Sequence, residues 1–284
     1  MAETAWNAGP VSGRRPAWRR ATDKYLAIAR TNLQNRLAYV WDAVANSLLM
    51  ILFIFIFAQL WRATFEAQQA AVIAGLTLNQ TVWYFVWAEM LMMGKIRHVQ
   101  AVSQEVKDGS LAYTLGRPYN YLLYHFAAGV GESILNMGVY LAVGGLVAAS
   151  QVGLLASFRP ETVPLLLLVT GLALVLDYCV MSIIALLAFF FEDVNSFMFI
   201  YHKIVFVLGG LLIPVDFLPE WLQGIARLLP FNLAVYAPSK LLVAWDLEQF
   251  AFSLVMQVIW ITVVVGALSA LYRYGVRRVS INGG

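Results

Sequence analysis

Residues Lys95–Asn120 read KIRHVQAVSQEVKDGSLAYTLGRPYN, a polar interruption in a chain that is otherwise nearly continuous hydrocarbon. Four Lys/Arg, the acids Glu105 and Asp108 and a Gly109-Ser110 break stand between apolar runs long enough to cross a bilayer. Such a stretch is a docking surface in water, and what docks there decides what the protein does. Gln100–Lys107 can form about two helical turns. Gly109 would end them, because glycine accepts the left-handed conformation of a helix C-terminus. Arg117-Pro118 blocks helix continuation before the next apolar run. On local physics alone the same stretch also fits an ordinary connecting loop.

Working outward, the chain of 284 residues is 61% hydrophobic and 12% charged, with mean hydropathy +0.72. Soluble domains carry about 25% charged residues, so a soluble globular chain is excluded. A span needs roughly 20 mostly apolar residues. Six segments meet that test: Val40–Leu60, Ala70–Met93, Tyr121–Ala149, Thr162–Phe191, Val194–Pro214 and Phe250–Tyr272. The expected fold is an all-α integral membrane protein with six transmembrane helices. The amino end does not read as a cleavable signal, because the first apolar run begins near residue 40 and is long enough to span. Cys179 is alone and lies in the fourth segment, where it reads as a small buried apolar residue.

Lys and Arg mark the cytoplasmic side of membrane proteins. With the amino end inside, that side holds Arg14, Arg15, Arg19, Arg20, Lys24, Arg30, Arg36, Lys95, Arg97, Lys107, Arg117, Lys203, Arg273, Arg277 and Arg278. The other side keeps Arg62, Arg159, Arg227 and Lys240, a bias of 15 to 4. Both termini are therefore expected in the cytoplasm, and the net charge of +3 reflects topology rather than nucleic-acid binding.

Residues 1–17, rich in Gly, Pro and Arg, read as a disordered tail. From 18 to 39 and on into Val40, Leu26, Ala29, Leu33, Leu37 and Val40 fall on one helical face, with Lys24, Thr31, Gln34 and Asn35 opposite, which predicts a basic interfacial helix over 18–39. The membrane domain then covers 40–272, with 273–284 as a second cytoplasmic tail. Glu192-Asp193 predicts a tight turn. The 215–249 stretch contains Pro219, Pro230 and Pro238 yet is helix-capable and apolar. Helices too short to span, such as these, fit segments that dip back into one leaflet.

The chemistry that is missing is informative. The sequence holds no Gly-x-x-x-x-Gly-Lys-[Ser/Thr], so it cannot cradle nucleotide phosphates itself. His98, His125 and His202 show no metal-ligand spacing, and no metal site is expected. Mid-span carboxylates are costly and so call for a reason. Counted along their spans, Glu132 and Asp177 fall near mid-bilayer, with Asn136 one turn from Glu132 and Lys203 as a plausible counter-ion. They read either as a polar path or as interhelical pairs. Glu89 is expected to reach headgroup water, while Trp83, Tyr84, Trp87 and the Phe189–Phe191 run read as packing or interface belt.

Glu105-Val-Lys-Asp-Gly109-Ser-Leu111 followed by Leu115-Gly-Arg117-Pro118 resembles the pattern after the second span of permease subunits in the type-2 ABC transporter family. The order of the remaining parts is similar too: an amino-terminal elbow helix, six spans, Gly209-Gly210-Leu-Leu-Ile-Pro214, Leu218-Pro219-Glu-Trp221 and Pro230-Phe231-Asn232. The resemblance implies a cytoplasmic coupling helix in 95–120 that contacts separate ATPase subunits, with Gln100, Ser103, Gln104, Glu105, Lys107, Asp108 and Gly109 as the coupling residues. It implies two ATPase subunits per complex, carrying ATP and Mg, and none of either cofactor on this chain. It also implies a second permease, either a different paralogous chain or a second copy, re-entrant outer helices in 215–249, export as the direction, and the bacterial inner membrane as the place. Two other classes stay open from the residues alone. A secondary transporter would use Glu132, Asp177 and Lys203 as an ion relay, and a membrane-embedded enzyme would need polar groups converging at one depth.

Overall fold

The computed structural model describes residues 17–38, 40–191 and 193–282, so the expected tail before Ala17 and Glu192 of the expected turn lie outside the described residues. The described chain is mostly helical, with no named strand among the described residues. In order, the helices are α1 (Ala17–Leu37), α2 (Val40–Ala67), α3 (Leu78–Gly94), α4 (Val99–Lys107), α5 (Leu111–Leu115), α6 (Tyr121–Val152), α7 (Val163–Leu186), α8 (Asn195–Leu208), α9 (Glu220–Leu228), α10 (Pro230–Ala234), α11 (Tyr236–Val243) and α12 (Leu247–Asn282). Among the described residues, four stretches are long and apolar enough to cross a membrane: Trp41–Ala67, Tyr121–Val152, Pro160–Phe189 and Leu247–Arg277. The last helix continues through most of the expected tail.

The other two expected spans are shorter than their apolar runs. Residues 70–77 are apolar but not helical. Ile73 and Leu76 exchange backbone hydrogen bonds of 3.0 Å across a tight turn, and Gln69 and Ala74 take positive φ. Thr77 then starts α3 with a capping box closed by Gln80. At 1.5 Å per residue α3 is about 25 Å long, and the 14 residues of α8 give about 21 Å, against a hydrocarbon core of about 30 Å. α8 stops at Gly209-Gly210. Gly210 has φ +81, and a Cβ there would sit 2.6 Å from the Tyr84 hydroxyl, so only glycine fits the break. The Tyr84 hydroxyl donates to the Gly210 carbonyl at 2.7 Å.

Side-chain contacts fix the register of the bundle. Asn79 at the start of α3 donates to the Val152 carbonyl at the end of α6, and Ser133 donates to the Gly94 carbonyl at the end of α3. α3 therefore matches only residues 133–152 of α6. The first dozen residues of α6 run past it, and α1 and α4 gather around this extension.

α1 lies alongside that extension. Lys24 donates to the Pro118 carbonyl, the Asn120 N–H donates to the Tyr25 hydroxyl, and Arg36 pairs with Glu132 at 3.2 Å. Gly131 permits the contact, since a Cβ there would lie 2.5 Å from the Ala29 carbonyl oxygen. Leu26 and Leu37 on the predicted apolar face remain exposed. At the opposite end of the bundle α11 is enclosed. Seven of its eight residues are buried, and the eighth, Lys240, pairs with Asp216 at 2.6 Å. Gln80 donates to its Val243 carbonyl, and the buried Gln257 donates to the carbonyls of Leu233 and Val169.

Candidate functional site

The α4 helix occupies the predicted place, and Gly109 follows it with φ +77. Val99, Val102, Ser103 and Val106 recur at the 3–4 spacing of one helical face and turn towards the bundle, with Val102 wholly buried. Gln100, Gln104, Lys107 and Asp108 turn outward, and Gly109 is also exposed. Asp108 accepts the Ser110 N–H at 2.9 Å, and this bond holds its carboxyl below the usual carboxylate range. The helix thus divides into an anchored apolar stripe and an exposed polar face.

Two of the predicted coupling residues belong to the anchored side. Ser103 is buried. Glu105 accepts a 2.9 Å hydrogen bond from the Tyr121 hydroxyl and lies 3.5 Å from His125 Nε2, both on α6. Its position beside Val102 and Val106 carries the carboxylate inward, so it ties α4 to α6 instead of facing outward. Just before α4, His98 is 3% exposed. Its Nε2 lies 2.9 Å from the Ser182 hydroxyl of α7, and its ring sits 4.3 Å from that of Tyr178. Burial, aided by the nearby His125 and opposed by a backbone bond to Ile96, lowers its pKa to about 3. His98 is therefore a neutral strut between the α3–α4 connection and α7.

Beside α4 runs a groove of about 650 Å³ lined by Ser103, Val106, Lys107, Phe189, Phe191 and Asp193. Phe191 is half exposed there, so the Phe189–Phe191 run is packing at Phe189 and open surface at Phe191. Asp193 accepts the Asn195 N–H at 3.0 Å and so shapes the turn into α8.

The intramembrane polar residues have partners other than those expected. Asp177 on α7 faces Lys95, at 3.8 Å, and accepts a 2.6 Å hydrogen bond from the Tyr201 hydroxyl of α8. Lys95 also lies 3.0 Å from His202 Nε2. Lys203 is not the counter-ion. Tyr201 points at Asp177, and a residue two positions on is rotated roughly 200° around the helix. Lys203 is accordingly exposed and packs over Phe199 and Phe206, 5.0 and 5.6 Å from their ring centres.

Glu132 is level with the junction of α1 and α2, is partly exposed, and pairs with Arg36. Asn136, one turn on, is buried, with its side-chain oxygen unpartnered. Glu132, Asp177 and Lys203 thus have three separate environments and form no relay. Glu89, expected to reach water, is buried at 7% exposure instead, and Cys179 is buried as expected. Among the described residues no group of His, Cys, Asp and Glu could hold a metal ion.

Sequence reading missed Lys95, Tyr121, His125 and Tyr201. The spacing of Glu105 from Val102 and Val106 was the available signal for the first anchor. Nothing local singled out Lys95, which follows an apolar run as many juxtamembrane lysines do.

No curated protein matches this chain. The family described as ABC-2 family transporter protein matches residues 43–283, almost everything from the start of α2 onward. With its long apolar helices and this match, the chain belongs to the ABC-2 transporter family and is a membrane-spanning permease.

Proposed function

We propose that this chain is the permease subunit of an ATP-driven exporter, forming half of the translocation path and coupling to separate cytoplasmic ATPase subunits. The observation that carries the reading is α4. A nine-residue helix between two bundle helices keeps its apolar stripe anchored and its polar face, Gln100, Gln104, Lys107 and Asp108, exposed to a partner. Two ATPase subunits, carrying the ATP and Mg, dock beneath such helices in a pair of permeases. Closure of the ATPases pushes α4, and the Glu105–Tyr121 and His98–Ser182 contacts pass that push to α6 and α7. Coupling of this kind needs a stiff link between the docking surface and the moving helices.

Six membrane crossings follow if α3 and α8 join the four long helices, with α1 as an interfacial elbow and α9–α11 as the outer re-entrant segment. Lys203 supports a second permease packed over α8. A lysine on an outward face shared with Phe199, Ile200 and Val207 calls for a protein partner or a water-filled path, because lipid is a costly neighbour for an ammonium. The charge bias supports cytoplasmic termini, and the family resemblance supports a bacterial inner membrane. The ion-relay reading has no support from the scattered positions of Glu132, Asp177 and Lys203.

The test is a charge reversal on the free face. In the assembled complex, Lys107→Glu should reduce transport and substrate-stimulated ATP hydrolysis at least tenfold while leaving insertion and melting temperature unchanged. Normal transport and hydrolysis in that variant would remove α4 from the coupling pathway.

A further inference from the structure

Towards the end of the bundle opposite α4, a recess of about 500 Å³ opens between α3, α6 and α7. Trp83 and Trp87 of α3, Leu141 of α6, Leu166 and Leu167 of α7 and Leu242 of α11 contribute to its wall. Its remaining side comes from the 153–162 connection, and every residue lining it is aliphatic or aromatic. That connection is tied down. The Trp83 indole N–H donates to the Gly153 carbonyl at 3.1 Å, Asn79 donates to the carbonyls of Val152 and Leu154, and Ser157 donates to the Val243 carbonyl at 2.6 Å. The recess is therefore preformed. Leu167, exposed on a membrane-crossing helix, puts its opening on the lipid side.

Its depth matches one leaflet. Leu141 lies eleven residues before Val152, the last residue of α6, or about 16 Å at 1.5 Å per residue. Trp87 lies nine residues after Leu78, the first of α3, or about 14 Å. Half of the hydrocarbon core is about 15 Å, so the recess runs from headgroup level to near mid-bilayer. Water finds no polar partner on such walls, and an empty recess forfeits dispersion contacts along them. Hydrocarbon is the filling that suits it.

Arg159 supplies an independent sign. It is exposed on the same connection, next to Phe158, and among the described residues its guanidinium makes no hydrogen bond or ion pair. It lines an adjoining recess of about 380 Å³. The two recesses meet along the connection and α11, since Phe158 and Leu242 line the apolar one while Ser157, Arg159 and Val243 line the other. The other charges of that second wall are engaged: Lys240 with Asp216 at 2.6 Å, and Asp246 with the N–H groups of Glu248 and Gln249. Glu161 lines neither recess. A guanidinium fork matches the oxygens of a phosphate, so an open one beside a leaflet-deep apolar recess fits an acid joined to a hydrocarbon chain. We propose that this face binds one phospholipid, with an acyl chain in the recess and the phosphate on Arg159. The site is independent of the coupling reading, since its residues are all at the other end and its test needs no ATPase.

The experiment uses the purified full chain in dodecyl maltoside, with a phosphatidylglycerol that carries a diazirine midway along one acyl chain as probe. After photolysis, peptide mass spectrometry should find the crosslinks concentrated around Trp87, Leu141 and Leu167. Arg159→Gln should weaken capture about tenfold, the scale of one charge-assisted hydrogen bond. Unlabelled phosphatidylglycerol should displace the probe about tenfold more effectively than diacylglycerol of the same chains, which has no phosphate to offer Arg159. Leu167→Trp should fill the recess and remove most of the capture. Both substituted positions are exposed, so the melting temperature should stay unchanged in either variant. Crosslinks spread evenly over exposed residues such as Leu146 and Val255 would mean ordinary boundary lipid and overturn the proposal. Unchanged capture in Arg159→Gln or equal displacement by diacylglycerol would do the same. So would an uncrosslinked recess in a dimer that Leu167→Trp breaks, because a second copy would then be the occupant.

Discussion

α4 and α11 are nearly the same length, nine and eight residues, and sit at opposite ends of one bundle with opposite habits. α4 is half anchored. Its valines rest on the bundle, Glu105 and the adjacent His98 tie it to α6 and α7 through side-chain bonds, and one polar face stays open. α11 is enclosed: seven of its eight residues are buried, Lys240 pairs with Asp216, and its Val243 carbonyl accepts from Gln80 of α3. A helix that must be touched keeps a face in water. A helix that serves as core gives up nearly every face to packing, and the polar groups it keeps then need partners inside the protein.

The α4 end is tied by buried polar side chains, and at the other end a glycine break in the backbone adds to the Asp216–Lys240 pair. The largest expected effect tests the first half. Asp177→Asn leaves the Lys95 ammonium buried without its counter-charge, which costs about 3–5 kcal/mol. Melting of the purified chain should drop accordingly, and adding Lys95→Met should restore most of it. An unchanged melting temperature for Asp177→Asn would mean that the pair carries no structural weight. At the other end, Gly210→Ala forces an L-residue to positive φ and displaces the Tyr84 hydroxyl. The expected loss is about 1–3 kcal/mol, and wild-type stability would show that the α8 break tolerates a side chain.

A smaller effect distinguishes the ends by pH. Unfolded, His98 binds a proton below about pH 6.5, whereas folded it does so only near its lowered pKa of about 3. Its contribution is therefore complete above pH 6.5 and is lost as pH falls through that window, by about 2 kcal/mol at pH 5. His98→Gln keeps a hydrogen-bonding group towards Ser182 and should flatten the difference in stability between pH 7 and pH 5. A variant as pH-sensitive as the parent would assign the effect to another group.

Much of the α4 end was legible because its information is local. The 99, 102, 103, 106 stripe and the glycine stop are written within about ten residues, and the match to the transporter family follows from the order of such segments. The choice of Glu105 as a docking residue went by charge when face mattered more. Lys203 was likewise matched to Asp177 by depth alone, whereas two positions along a helix turn a side chain to the opposite face. Two span boundaries failed for another reason. Residues 70–76 are as apolar as a helix interior, and only the capping pattern of Thr77 and Gln80 marked where α3 begins. The separation of Asp177 from Lys95 by more than eighty residues is a tertiary fact that periodicity does not encode.

The close seat of α1 on Gly131 has a consequence for how the chain is made. Ala29 leaves the ribosome about one hundred residues before Gly131, which at about 5–20 residues per second is a delay of roughly 5–20 s. Throughout that interval α1 is complete while its seat on α6 has yet to be synthesised. Its basic residues and its still-exposed Leu26 and Leu37 suit the surface of a bilayer with anionic headgroups. The amino-terminal helix is thus a nascent-chain element with two successive berths: first the lipid surface, then the flank of a helix translated later.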